Sequence, residues 1–310
     1  MLWLYTVVYY LMIKVFKNHV HAFQKFATVK NLVEDLLVTY NEFLVPSDAL
    51  YAHNFVLSLT TSPKRIKTLQ LDTFANYSYV LLNLPKLFRN KEPYSSADIQ
   101  ALQSRIPNLR IHWLPEDLGP ATKFLGALQV VKPSDIVVVI DDDILYNNGL
   151  LTVYDEEFKM HSEPVVITPS PVEYLGFTTA QGCHSYAVRV SDLWQLTQSS
   201  SGLEVYTKLQ AIFNEYASAH PLCKRHDDVV FAAMFRHIGM PIHTVDFESD
   251  RPMWTVAYQD DALHSEYPQL EKNVECAGAI WDHWQQCPVN EGIQDFFTLL
   301  RSSSRTASKN

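Results

Sequence analysis

Glycine is scarce, with 9 in 310 residues, so collagen-like repeats, flexible linkers and glycine-rich dinucleotide or Walker loops are poor organising motifs here. Cysteine is scarce too: Cys183, Cys223, Cys276 and Cys287 are the four, and none forms a C-x-x-C pair. That spacing argues against the usual structural zinc sites, and four cysteines in a chain of this length do not make a disulfide scaffold. Cys276 and Cys287 lie close enough in sequence to pair in an oxidising compartment, with free buried thiols as the alternative. The chain also lacks an excess of basic residues. It has 25 Lys+Arg against 34 Asp+Glu, a net charge of −9, which counts against a general nucleic-acid binder. An anionic small ligand stays open, held by local Lys and Arg or by a metal on carboxylates.

A long apolar run is missing as well. Met1 to Ile13 is uncharged, but as a helix it spans about 20 Å, short of the roughly 30 Å hydrocarbon core. Extension to Phe16 requires Lys14 to snorkel. The segment has neither the basic leader nor the small-residue cleavage site of a signal peptide. A marginal anchor, an interfacial helix and a helix packed on the body are the three readings, and membrane association through residues 1–16 is the expectation carried forward.

What is present is an ordinary globular composition, 47% hydrophobic and 19% charged, enough for a full core. Phe23, Phe26, Val29, Leu32, Val33, Leu36, Leu37, Tyr40 and Phe43 form one helical stripe, read as a stem that ends at Pro46. From His53 the pattern changes to strands alternating with helices. Strands are expected at 54–61, 77–84, 109–114 and 136–140, with helices at 66–74 and 122–131 between them. The second half reads as strands near 164–169, 185–190 and 242–245, with helices at 205–216 and 227–237. This is the signature of an α/β fold. Residues 301–310 are polar and are expected to be disordered.

The strongest chemical signal is Ile136-Val137-Val138-Val139-Ile140 followed at once by Asp141-Asp142-Asp143. Three carboxylates at the carboxyl end of a buried strand repel one another unless a positive group sits there. That edge of a parallel sheet is also where α/β folds bind ligands. Alternation sends Asp141 and Asp143 to one side and Asp142 to the other, and two oxygen ligands spaced i, i+2 suit manganese or magnesium. The bland alternative is an acidic turn capping the helix after Tyr146.

Three further segments fit the same edge. His226-Asp227-Asp228 opens a helix, where an acid serves either as a cap or as a general base. Leu118-Gly119-Pro120-Ala121-Thr122-Lys123 places a lysine at a helix start, against the dipole, which suggests an anion to neutralise. Leu59-Thr60-Thr61-Ser62-Pro63-Lys64-Arg65 supplies hydroxyls, a turn and cations directly after the first strand. His264, late in the chain, is a further candidate metal ligand.

Taken in chain order, residues 59–66, 116–123, 137–146 and 226–230 resemble the motifs of GT-A-type glycosyltransferases, and most closely an algal and giant-virus branch related to the large inverting nucleotide-sugar family. The likeness covers roughly residues 53 to 265. It implies a GT-A (Rossmann-like) α/β fold: a mixed, mostly parallel sheet flanked by helices, with an N-terminal helical extension. The implied divisions are 1–46 (apolar segment and stem), 47–290 (transferase domain) and 291–310 (helix end and tail). The implied activity is metal-dependent transfer of a hexose or deoxyhexose from a nucleotide-diphosphate donor, with inversion. Mn2+ or Mg2+ would be the cofactor and a UDP-linked sugar the donor. The acceptor would be a hydroxyl of a glycan, glycoprotein or glycolipid, and no nucleic acid is involved.

Residue by residue, the resemblance assigns Asp141 and Asp143 to the metal, with His264 more loosely, and Asp141 and Asp142 to the nucleotide. Thr60, Thr61 and Arg65 match the nucleotide edge, and Lys123 the diphosphate. Asp228 matches the base that deprotonates the acceptor, with Asp227 as fallback. Residues 176–190, including Ala180-Gln181-Gly182, would lie beside the transferred sugar. A membrane-associated, Golgi-like setting is expected, with a cytosolic enzyme as the alternative. Two rivals are a haloacid-dehalogenase-type phosphatase, whose first Asp is a nucleophile, and a non-catalytic cation- or carbohydrate-binding module.

Overall fold

The computed structural model describes residues 53–286, apart from 70, 72–73, 75–76, 147–148, 170, 175–176, 181–184, 246–253 and 256–268. The stem and apolar segment (1–46), His264, Cys183, Cys287 and the tail all lie outside the described residues.

The chain opens with β1 (Asn54–Leu59), followed by β2 (Tyr79–Pro85), helix α1 (Ser96–Arg105) and β3 (Leu109–Leu114). Next come α2 (Thr122–Leu128), β4 (Asp135–Val139), the short β5 (Ile144–Leu145) and α3 (Leu150–Met160). The second half runs β6 (Val166–Thr168), β7 (Pro171–Tyr174), β8 (Phe177–Ala180), β9 (Tyr186–Arg189), α4 (Val190–Leu196) and α5 (Gly202–Ala217). It continues with α6 (Asp227–His237), β10 (Ile242–Thr244), β11 (Trp254–Thr255) and α7 (Gln269–Gln286).

Seven strands form one sheet in the order β10-β6-β9-β4-β1-β2-β3. β9 is antiparallel to both β4 and β6, while the other pairs are parallel, so β9 alone runs against the rest. The expected mixed, mostly parallel sheet flanked by helices is therefore the observed one. β4 lies between β1 and β9 and all five of its residues are buried, which explains why both of its faces are apolar. Val137 and Val139 pack with Val56, Phe124, Tyr186 and the helices α2, α5 and α6 on one face. Ile136, Val138 and Ile140 pack with Phe55, Leu57, Tyr154 and Phe158 on the other, beneath α1 and α3.

Several local expectations change. Of the expected helix at 66–74, the described residues include a 3-10 turn at Ile66–Thr68 and the buried side chains of Ile66, Leu69, Leu71 and Phe74. Residues 70, 72 and 73 of that segment lie outside the described residues. Helix α1 was not expected; Ser95 caps it by accepting a hydrogen bond from the Asp98 amide.

The cysteine pairing is a clear correction. Cys276 bonds Cys223, 53 residues away, rather than its sequence neighbour Cys287. The turn at Pro221–Arg225 packs on α7 and brings the two Cα atoms to 5.2 Å, so packing rather than chain proximity selects the partner. No helix among the described residues is long and apolar enough to cross a membrane.

Candidate active site

The pleat of β4 carries into the acidic run. Asp141 follows Val137 and Val139 to the α2 face, and its Oδ1 lies 2.7 Å from Lys123 Nζ. Asp142 follows Val138 and Ile140 to the opposite face. There it accepts hydrogen bonds from Thr61 Oγ1 at 2.5 Å and Arg65 Nη1 at 2.6 Å. Asp143 departs from the expected alternation. Its Oδ2 sits 3.6 Å from the same Arg65 nitrogen that donates to Asp142. The strand ends at Val139, so the pleat no longer dictates the third direction.

Lys123 lies in the first turn of α2, with a side chain only 4% exposed, and also reaches Asp227 Oδ2 at 3.2 Å. Burial works to lower its pKa, but Asp141, Asp227 and Asp228 outweigh burial and hold it well above the ordinary lysine value. It is a permanent cation. Burial pushes Asp227 up, against the pull of Lys123. Burial likewise pushes Asp142 up to about 6, against Arg65 and the Thr61 hydroxyl.

Asp227 and Asp228 open α6, where acids suit the helix dipole. Asp227 is buried against Lys123, whereas Asp228 is half-buried beside it. The strand ends, α2 and α6 thus bring Thr61, Arg65, Lys123, Asp141, Asp142, Asp143, Asp227 and Asp228 to one edge of the sheet. Thr60, beside Thr61, donates its hydroxyl to the Asn83 carbonyl on β2.

Several supporting residues escape a reading of motifs. The hydroxyl of Ser58 donates to the Lys123 carbonyl at 2.5 Å, and Asn83 Nδ2 donates to Ser58 Oγ at 2.8 Å. Both side chains are fully buried, so this network fixes α2, and with it Lys123, on the sheet. Gly126 makes room for it: a Cβ there would stand 2.9 Å from Asn83 Oδ1. A lone Asn inside an apolar strand was the available signal. Gly119, at φ +64°, makes the turn into this segment in a conformation that favours glycine.

Tyr94 donates to the Thr61 carbonyl, and the Tyr146 hydroxyl accepts from the Asp141 amide at 3.0 Å. Tyr186 on β9 sits opposite Val139. Its hydroxyl is buried and has no hydrogen-bond partner among the described residues, and burial raises its pKa far enough that it stays neutral.

The donor set suits a hard divalent cation. Asp141 and Asp143 keep partly exposed side chains, 30% and 18%, so both carboxylates are open to a ligand. Magnesium and manganese commonly take one or two carboxylates and complete their shell with water and substrate phosphates, so three converging protein ligands are not required.

No protein-family model matches the chain, and no curated protein matches it. Among solved structures, the chain is similar to the glycosyltransferase GlyE of Streptococcus pneumoniae TIGR4, at 11% identity and TM-score 0.44 over 75% of this chain and 63% of that one. It is similar to the mannosyltransferase PcManGT from Pyrobaculum calidifontis, solved with GDP-Man and Mn2+, at 11% identity and TM-score 0.38 over 91% and 90%. It is also similar to the 4-diphosphocytidyl-2C-methyl-D-erythritol synthase of Anaerococcus prevotii, at 10% identity and TM-score 0.40 over 74% and 99%. The chain spans 56% of the S. aureus TarS 1–349 chain, so some similar structures extend well beyond it. Likenesses at this level assign no activity to this chain; what its site can do follows from its own side chains.

Proposed function

We propose that the chain is a GT-A-type glycosyltransferase that moves a sugar from a nucleotide-diphosphate donor to a hydroxyl acceptor, with inversion. The observation that carries this reading is the arrangement at the carboxyl edge of β4. An acidic run faces a permanent buried cation, Lys123, on one side and Arg65 with Thr61 on the other. Such an edge holds an anionic ligand and a cation together, which a purely structural acidic turn would not need.

Asp141 and Asp143 would hold Mn2+ or Mg2+, with His264 as a further ligand. When bound, that ion would neutralise charge on the leaving diphosphate. Lys123 would hold the diphosphate from the opposite side as its negative charge grows, and it is preorganised for that by Ser58 and Asn83. Arg65, Thr60, Thr61 and Asp142 would line the nucleotide. Residues 176–190, with Tyr186 among them, would flank the sugar, and the Tyr186 hydroxyl is a neutral donor without a hydrogen-bond partner among the described residues.

Asp228 would take the acceptor proton. It is the more accessible of the two acids, while Asp227 is committed to Lys123. Attack from the face opposite the leaving group inverts the anomeric centre.

The acceptor would be a glycan, glycoprotein or glycolipid, the donor a UDP-linked hexose or deoxyhexose, and the setting a Golgi-like lumen reached through membrane association of residues 1–16. The Cys223–Cys276 disulfide supports an oxidising compartment. The phosphatase alternative is disfavoured because Asp141 follows the fourth strand, β4, whereas that family's nucleophile follows the first strand of its domain.

A thermal-shift screen of nucleotide sugars with and without Mn2+ tests the proposal, since a ligand raises the apparent stability of the state it binds. A shift that needs both manganese and a nucleotide sugar, followed by release of the nucleoside diphosphate, is expected. Absence of both across UDP-, GDP- and CMP-linked sugars would overturn it.

A further inference from the structure

A second cluster lies away from the carboxyl edge of β4. Glu157 is in the last turn of α3, His161 caps that helix, and His243 is on β10, the edge strand of the sheet. Their ligand-type atoms all lie within 4.8 Å of one another, the group of this kind found among the described residues.

Glu157 Oε2 stands 3.7 Å from His161 Nε2 and 3.4 Å from His243 Nε2. These are ion-pair separations without hydrogen-bond geometry, and that oxygen is buried with no hydrogen-bond partner among the described residues. Bonds of about 2.0–2.2 Å from a tetrahedral zinc place its ligand atoms roughly 3.4 Å apart, close to both separations.

The surroundings are those of a held ligand set. His161 Nδ1 is 2.9 Å from Glu163 Oε1, which directs its Nδ1 proton outward and leaves Nε2 with a free lone pair toward Glu157. Arg189 donates to the carbonyls of both His161 and Glu163, at 2.5 Å each, and so fixes the loop that carries them. The two imidazole rings pack at 4.4 Å between centroids.

We infer that Glu157, His161 and His243 form a zinc site that ties the end of α3 to the edge strand β10. Two imidazoles and one carboxylate suit Zn2+, and a water would complete the shell. The carboxylate pair Asp141 and Asp143 favours a harder ion than two imidazoles do, so the two sites would take different metals. The inference is independent of the proposed transferase activity. A metal here would also protect β10, whose outer edge has no neighbouring strand among the described residues.

The test uses the full chain stripped with a chelator and titrated with Zn2+ alone, read by thermal shift, and with Co2+, read by its visible ligand-field bands. At a hundredfold excess over Kd the wild type should gain about 5–10 °C in Tm. His243→Ala and Glu157→Gln should lose both the shift and the tetrahedral cobalt spectrum, while Asp143→Asn keeps them. His243→Gln, with circular dichroism to establish folding, repeats the test in a milder variant. A wild type without a zinc shift, or one whose shift and cobalt bands survive in folded His243→Gln and Glu157→Gln, overturns the site.

Discussion

Lys123 Nζ and Asp141 Oδ1 lie 2.7 Å apart, joining the first turn of α2 to the end of β4. Lys123 lies between acids from two elements, Asp141 after β4 and Asp227 at the start of α6, so the pair ties three segments into one site. A cation in this position has a structural duty as well as the proposed catalytic one.

Removing it should therefore show in stability. Lys123→Met leaves the carboxylates of Asp141 and Asp227 facing one another, and breaking a buried pair costs about 3–5 kcal/mol. Chemical denaturation is the measurement. The double variant Lys123→Met/Asp227→Asn should recover part of the loss, because one of the stranded charges has gone. Equal losses in the single and double variants would mean that Asp227 is not what Lys123 neutralises.

The two acids of α6 should separate by role. Asp228→Asn should bind the donor normally and lose transfer by about 10²–10⁴-fold, the usual contribution of a general base. Asp227→Asn should instead weaken donor binding by disturbing Lys123, with a smaller effect on the rate of transfer from bound donor. Donor affinity by calorimetry and single-turnover transfer distinguish them. Normal transfer in Asp228→Asn would pass the base role to Asp227.

Asp142 gives a pH dependence whose sign is fixed by its raised pKa. Below about 3.8 the carboxyl is protonated in both folded and unfolded chains, and its contribution to stability is fully present. As pH rises toward about 6 the unfolded chain releases the proton first, so that contribution is lost. The shift corresponds to about 3 kcal/mol. In chelator-treated protein, wild type should lose that much more stability than Asp142→Asn between pH 4 and pH 7. Parallel pH profiles would show that burial of this carboxyl is not a cost.

The disulfide makes a prediction about covalent connectivity. Non-reducing peptide mapping should recover Cys223 linked to Cys276. Cys223→Ser should lower stability by about 2–4 kcal/mol, as expected for a crosslink closing a long loop. A Cys276–Cys287 peptide would contradict the structure.

Much of this was legible in local pattern. The unbroken apolar run before Asp141 marks a strand covered on both faces, and β4 is that strand. Helix α6 spans the expected residues 227–237, because its acidic start and apolar side mark both its onset and its buried face. Less could be read where the signal is spread over distant segments. Helix α1 has a weakly apolar sequence whose buried residues are Ile99 and Leu102, and Arg105 at its end donates to the Leu69 carbonyl, a contact between distant segments. Tyr186 was contained in a segment expected beside the sugar, yet its position opposite Val139 depends on an antiparallel pairing that no local pattern encodes.

Sequence by itself determined the alternating α/β architecture, the order of the four polar segments and the divergence of Asp141 from Asp142, because hydrophobic period and strand pleat are local properties. Tertiary structure decided which charges meet: Lys123 with Asp141 and Asp227, Arg65 with Asp142 and Asp143, Cys223 with Cys276, and His243 with Glu157. Those pairings join residues from about 18 to more than a hundred positions apart, and only the packing of helices onto the sheet brings such atoms within bonding distance.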